Sequence, residues 1–177
     1  MAKPPRKTLG SADAPCVLAL MKQMETQSKQ TIATWCIDFA QARFIPLYEK
    51  RSPGDARPQH ALDAARAWLK GEVKLPYVKN IILNEAHAAA REAEGQPALQ
   101  ATARTIAQAA SSIHTPTHSL ALAFYGAAAI AYDCLGTQAS KEEYDQVFEE
   151  ICAELRASLA EASVENEPNP AKIKWYC

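Results

Sequence analysis

Residues 120–132 read LALAFYGAAAIAY, apolar, aromatic or small at every position. A helix with no polar face cannot lie on a protein surface; it has to be surrounded. Spanning a bilayer takes about 20 such residues, so this run is too short for a membrane to be what surrounds it. The rest of the chain must then supply helices that pack around it. At 177 residues one domain can do this, burying roughly 70% of the surface that its unfolded chain exposes. The chain is 48% hydrophobic with 6 glycines, and its abundant alanine favours closely packed helices over strands. The expectation is an all-α, single-domain bundle of about six to seven helices with an extended C-terminal tail.

Residues 1–10 are proline-rich and basic, and are expected to be flexible or loosely docked. The helical domain is expected over residues 11–163. Ser11 or Asp13 is expected to cap a first helix carrying Val17, Leu18, Leu20, Met21 and Met24. A second, starting near Gln27 or Ser28, places Ile32, Trp35, Cys36, Phe39 and Ala42 or Arg43 on a 3.6-residue period until Pro46 bends it. The Ser-Pro-Gly-Asp turn follows, and Pro58 suits the start of a third helix that Gly71 ends. A fourth spans residues 75–92, and a fifth spans 98–113 with one clean face of Leu99, Ala103, Ile106, Ala110 and Ile113. The sixth begins at Pro116, with Thr115 as its cap. The seventh, residues 140–162, has the strongest amphipathic stripe, Tyr144, Val147, Phe148, Ile151, Leu155 and Leu159. Residues 164–177 form the tail, whose Trp175 and Tyr176 are placed to dock on the bundle.

A formal net charge of −1 gives no global basic field to draw the chain to nucleic acid or to an anionic membrane. Five scattered cysteines, odd in number and without a C-x-x-C pair, fit a reducing cytosol; most read as small core residues, and Cys177 as a terminal thiol. No apolar leader segment precedes the domain, so the expected location is cytoplasmic. Glycine-rich phosphate loops, G-x-S-x-G and H-E-x-x-H are all missing, which disfavours an enzyme and suggests no catalytic residue and no cofactor.

Three stretches carry candidate functional residues. In HTPTH, His114 and His118 are four apart, but Pro116 argues against one helix presenting both to a metal. His114 is then expected at a helix C-terminus and His118 in a first turn, so helix dipoles should favour the charged form of His114 and the neutral form of His118. His87 can meet them across the bundle as a polar pocket. In residues 47–72, Glu49 and Asp55 can pair with Arg57 or Arg66 to lock a turn, or present a recognition loop. The last helix is acidic at Glu142, Glu143 and Glu149, either a solvated face or a surface for a basic partner.

Taken together, CIDFAQARFIPLYEKRSPGDARPQHALDAARAWLKGE and EAHAAAREAEGQPALQATARTIAQAASSIHTPTHSLALAFYGAAAIAYD resemble the immunity proteins of bacterial polymorphic toxin systems, the fifth-numbered immunity-protein-like group. Residues 36–133 carry the resemblance. The matching positions are Glu49, Asp55, Arg57, Pro58, Ala64, Ala65, Arg66, Trp68, His87, Arg91, His114 and His118. The family often has a histidine shortly before the segment around His114, where this chain has Gln108. The resemblance implies a protein that binds a cognate protein toxin and neutralises it by stoichiometric occlusion, without catalysis, cofactor or nucleic acid. The alternative is a helical metal- or small-ligand-binding protein, or an enzyme, with a polar pocket around His87, His114 and His118. A homo-oligomer built on an exposed helix stripe is also compatible with the sequence.

Overall fold

Proline marks the helix starts of this chain, because its missing N–H falls where an α-helix has no partner for one. The computed structural model, which describes residues 5–175, places a proline in the first two positions of α1 (Pro15–Met24), α3 (Ile45–Arg51), α4 (Arg57–Leu69), α5 (Leu75–Ile81) and α7 (Pro97–Ser111). The other α-helices are α2 (Lys29–Arg43), α6 (His87–Glu92), α8 (Ala121–Cys134) and α9 (Lys141–Ala162). Phe44 carries helical backbone from α2 into α3 across the Pro46 bend, and a π turn, Ile82–Ala86, joins α5 to α6 without a gap. The described residues therefore form seven helical rods and no strand: the fold is all-α and a single domain.

α7 is the central rod. It packs against α2, α3, α4, α6 and α8. The expected face of Leu99, Ala103, Ile106, Ala110 and Ile113 is buried, but Ala101, Thr102, Thr105, Ala107, Ala109 and Ser111 are buried too. The expectation of a single apolar face is thus corrected: α7 is enclosed on nearly every side. Its polar residues survive this because the Thr102, Thr105 and Ser111 hydroxyls donate to carbonyls four residues back, at 2.7, 2.8 and 2.9 Å. The alanine-rich α8 lies along α7, enclosed as its sequence requires.

Capping differs from expectation at two helices. Ala14 precedes α1 without a side-chain cap, and the Ser11 hydroxyl bonds Asp13 instead. Thr115 gives no side-chain cap either; a 3-10 turn, Pro116–Leu120, leads into α8. Elsewhere the expected signals hold. Ser28 caps α2, accepting from Thr31 N–H at 3.1 Å. Gly71 adopts φ +77° after α4, where Glu72 N–H reaches back to the Ala67 carbonyl at 2.9 Å.

Both ends of the described chain are tied down. Leu9 is buried and its N–H donates to the Phe124 carbonyl at 3.2 Å, while the Tyr132 hydroxyl donates to the Arg6 carbonyl at 2.6 Å. The extended tail straps the α1–α2 turn. Gln27 accepts from Val164 N–H at 2.7 Å and donates to its carbonyl at 3.2 Å, and Trp175 Nε1 donates to Glu25 at 2.7 Å. Cys36 and Cys152 are core residues, Cys16 is half-buried and Cys134 is exposed; Tyr176 and Cys177 lie outside the described residues.

Candidate partner-binding surfaces

The turn between α3 and α4 is built around one carboxylate. Gly54, at φ +82°, swings the chain back so that Asp55 faces its own helix start. Asp55 Oδ1 accepts from Arg57 Nε at 2.9 Å and from Arg57 N–H at 3.1 Å, and Oδ2 accepts from Arg57 Nη2 and the Tyr48 hydroxyl, each at 2.8 Å. Arg57 Nη1 continues to Glu92 at 2.9 Å, so the turn is also fastened to α6. The Arg57 guanidinium holds Asp55 well below the usual carboxylate range, at about 2, while burial first, and Asp55 second, push the Tyr48 phenol up to about 12. Arg66 turns away to Asp38 at 3.0 Å and Asp63 at 3.6 Å. Glu49 is exposed and joins no ion pair among the described residues.

His87 opens α6, His114 follows α7 and His118 lies in the 3-10 turn; all three are half-buried. The His114 and His118 rings sit edge to face, with centroids 5.8 Å apart. Burial is the main force holding all three below the ordinary histidine value. His118 adds to the depression of both other rings, with Arg91 and Arg104 acting on His87 and Lys79 on His114. The expected charging of His114 by the helix end is therefore corrected: desolvation and neighbouring cations outweigh the dipole. His114 Nδ1 and Gln108 Oε1 are buried without hydrogen-bond partners. Among the described residues no group of three or more His, Cys, Asp or Glu side chains is arranged to hold a metal ion. Arg91 Nη2 donates to the Leu83 carbonyl at 3.3 Å. The fourth histidine, His60 on α4, which sequence reasoning passed over, bonds Glu85 at 2.7 Å.

The three acidic candidates of α9 divide. Glu143 completes a capping box, accepting from Ser140 N–H at 2.7 Å while its own N–H donates to Ser140 Oγ at 3.2 Å. Glu142 and Glu149 are exposed. A groove of about 760 Å³ that sequence reasoning missed runs between α2, the C-terminal end of α9 and the tail, lined by Thr34, Trp35, Asp38, Phe39, Glu161 and Glu167 among others. Its signal was out of reach because its walls meet only in the folded chain.

A family model described as "Imm-5 like putative immunity protein" matches residues 22–156. The chain belongs to this family. No curated protein matches the chain, and no solved structure does. Membership implies a protein partner, in general terms a toxin. The matched span includes the Asp55–Arg57 turn and all three clustered histidines, while the strap and the last turns of α9 lie beyond it. No helix among the described residues is long and apolar enough to cross a membrane.

Proposed function

We propose that this member of the immunity family binds one cognate protein toxin in the bacterial cytoplasm and neutralises it by covering the toxin's working surface, with no chemistry of its own. The family match over residues 22–156 carries this reading. The scaffold suits it: a helical body with both described ends tied down loses little freedom on binding. Exposed Glu142 and Glu149 on α9 supply negative potential for a basic partner, and Glu49 adds to it beside the Asp55–Arg57 turn. The test is affinity capture from the source bacterium's lysate with an N-terminally tagged chain, followed by light scattering on the repurified pair. The expected result is one toxin domain held at one-to-one stoichiometry; an isolated chain, or one that only pairs with itself, overturns the reading.

A second reading rests on the orphaned His114 Nδ1 and Gln108 Oε1: a small polar ligand held beside the three histidines. A ligand-dependent rise in melting temperature that His114→Phe abolishes supports it.

A further inference from the structure

Seen from solvent, α2 presents Gln30, Thr34, Asp38 and Ala42, successive turns of one exposed stripe without a bulky or basic side chain. Along one flank of this stripe lies the 760 Å³ groove, whose opposite wall is Ser158, Glu161 and Ala162 of α9 with Glu167 of the strap. The half-buried Phe39 and the buried Trp35, its Nε1 donating to Ser158 at 3.1 Å, line the groove. Among the described residues no Lys, Arg or His lines it. The concavity along the other flank of the stripe contains Arg66 and Lys70, so charge distinguishes the two.

Of the three carboxylates in the groove, Asp38 is countered by Arg66 at 3.0 Å. Glu161 joins no ion pair among the described residues, and Glu167 is held by neutral donors, the Ser28 N–H and the Thr31 hydroxyl, each at 2.6 Å. Those bonds fix Glu167 in place without cancelling its charge, and a fixed charge beside aromatic rings is what a lysine or arginine side chain pairs with at least ordering cost. We infer that this groove seats a cationic segment of the toxin, an inference that rests on the immunity reading above. One wall comes from α2, inside the matched span, and the other from residues beyond position 156, outside the family pattern. The groove thus joins a wall inside the matched span to one outside it.

The experiment measures the affinity of the captured toxin domain for wild type and for Thr34→Arg, Glu161→Lys and Glu94→Lys, all at exposed positions. The first two variants are expected to weaken binding about tenfold or more, chiefly through faster dissociation, while Glu94→Lys, set on the α6–α7 turn, leaves it unchanged. Tight binding by wild type with equal affinity for Thr34→Arg and Glu161→Lys overturns the groove and leaves the immunity reading standing. If capture yields no toxin domain, the immunity reading fails by itself, and the groove is decided by titrating a short lysine–serine peptide against its glutamate–serine counterpart of equal length. Amide shifts at Thr34, Asp38 and Glu161 with the cationic peptide alone support it, and their absence overturns it.

Discussion

The Arg57 guanidinium grips Asp55 through two parallel hydrogen bonds of 2.9 and 2.8 Å and spends its remaining nitrogen on Glu92 at 2.9 Å. Two residues apart in sequence, the pair closes the α3–α4 turn onto α6. It also explains why a loop with the composition of a recognition site is held so firmly: its most distinctive charges satisfy each other.

Asp55→Asn is therefore expected to lose stability at neutral pH, by about 1–2 kcal/mol after discounting for solvent screening. Because the folded carboxyl titrates near 2 and the ordinary value is 3.8, the unfolded chain takes up the proton first as the solution is acidified. The stabilisation is present above the unfolded value and disappears as pH falls through the folded one. Urea titrations of wild type and variant should show curves well separated at neutral pH and converging in that acid window.

The histidine cluster predicts a second, milder acid response. The folded values of His87, His114 and His118 all lie below the unfolded value of 6.5, so the unfolded chain binds more protons once pH drops past it. Stability is expected to decline from about pH 6.5 downward, until the folded values are reached. His118 adjoins both other rings, and Lys79, Arg91 and Arg104 add positive charge nearby. His118→Asn should flatten the dependence relative to wild type. Melting temperatures across the interval measure this; an equal slope in the variant and wild type removes the cluster as its source.

The acidic face of α9 gives a prediction that separates folding from binding. Glu143 is a helix cap, so Glu143→Lys should destabilise α9, and any loss of toxin binding then reports on the helix end. Glu142→Lys and Glu149→Lys alter exposed positions outside the capping box and should shift the unfolding midpoint less than Glu143→Lys while slowing toxin association, most visibly at low salt. Calorimetry on each variant alongside stopped-flow association distinguishes the two cases.

The fold was readable because helix starts, caps and apolar periods are local signals: Pro58, Gly71 and Ser28 each did what their neighbours in sequence required. What escaped was set by distance or by small geometric change. The π turn at Ile82–Ala86 leaves no mark in composition. α7 reads as one-faced because its threonines and Ser111 look polar, yet their hydroxyls fold back onto the helix and enter the core. Gln27 and Val164 are 137 positions apart, and nothing local announces that they bond. The sequence allows the three histidines to meet across the bundle, but their depressed titration depends on burial, which no single residue displays.

A close approach in the core offers a last test. Gly126 of α8 lies under the Phe44 ring, where an added Cβ would sit 2.7 Å from Phe44 Cζ, and Phe44 is itself fully buried. In an open helix Gly→Ala gains about 1 kcal/mol of propensity. Here overpacking costs about 1–3 kcal/mol, so Gly126→Ala is expected to be neutral to destabilising and Gly126→Val clearly destabilising. Phe44→Leu alone should also lose stability by leaving a cavity. Combined with Gly126→Ala it should lose less than the sum of the two, because the added methyl then has space. A double-mutant cycle by urea denaturation measures this coupling; strict additivity would show that the α2–α8 approach is looser than the structure has it.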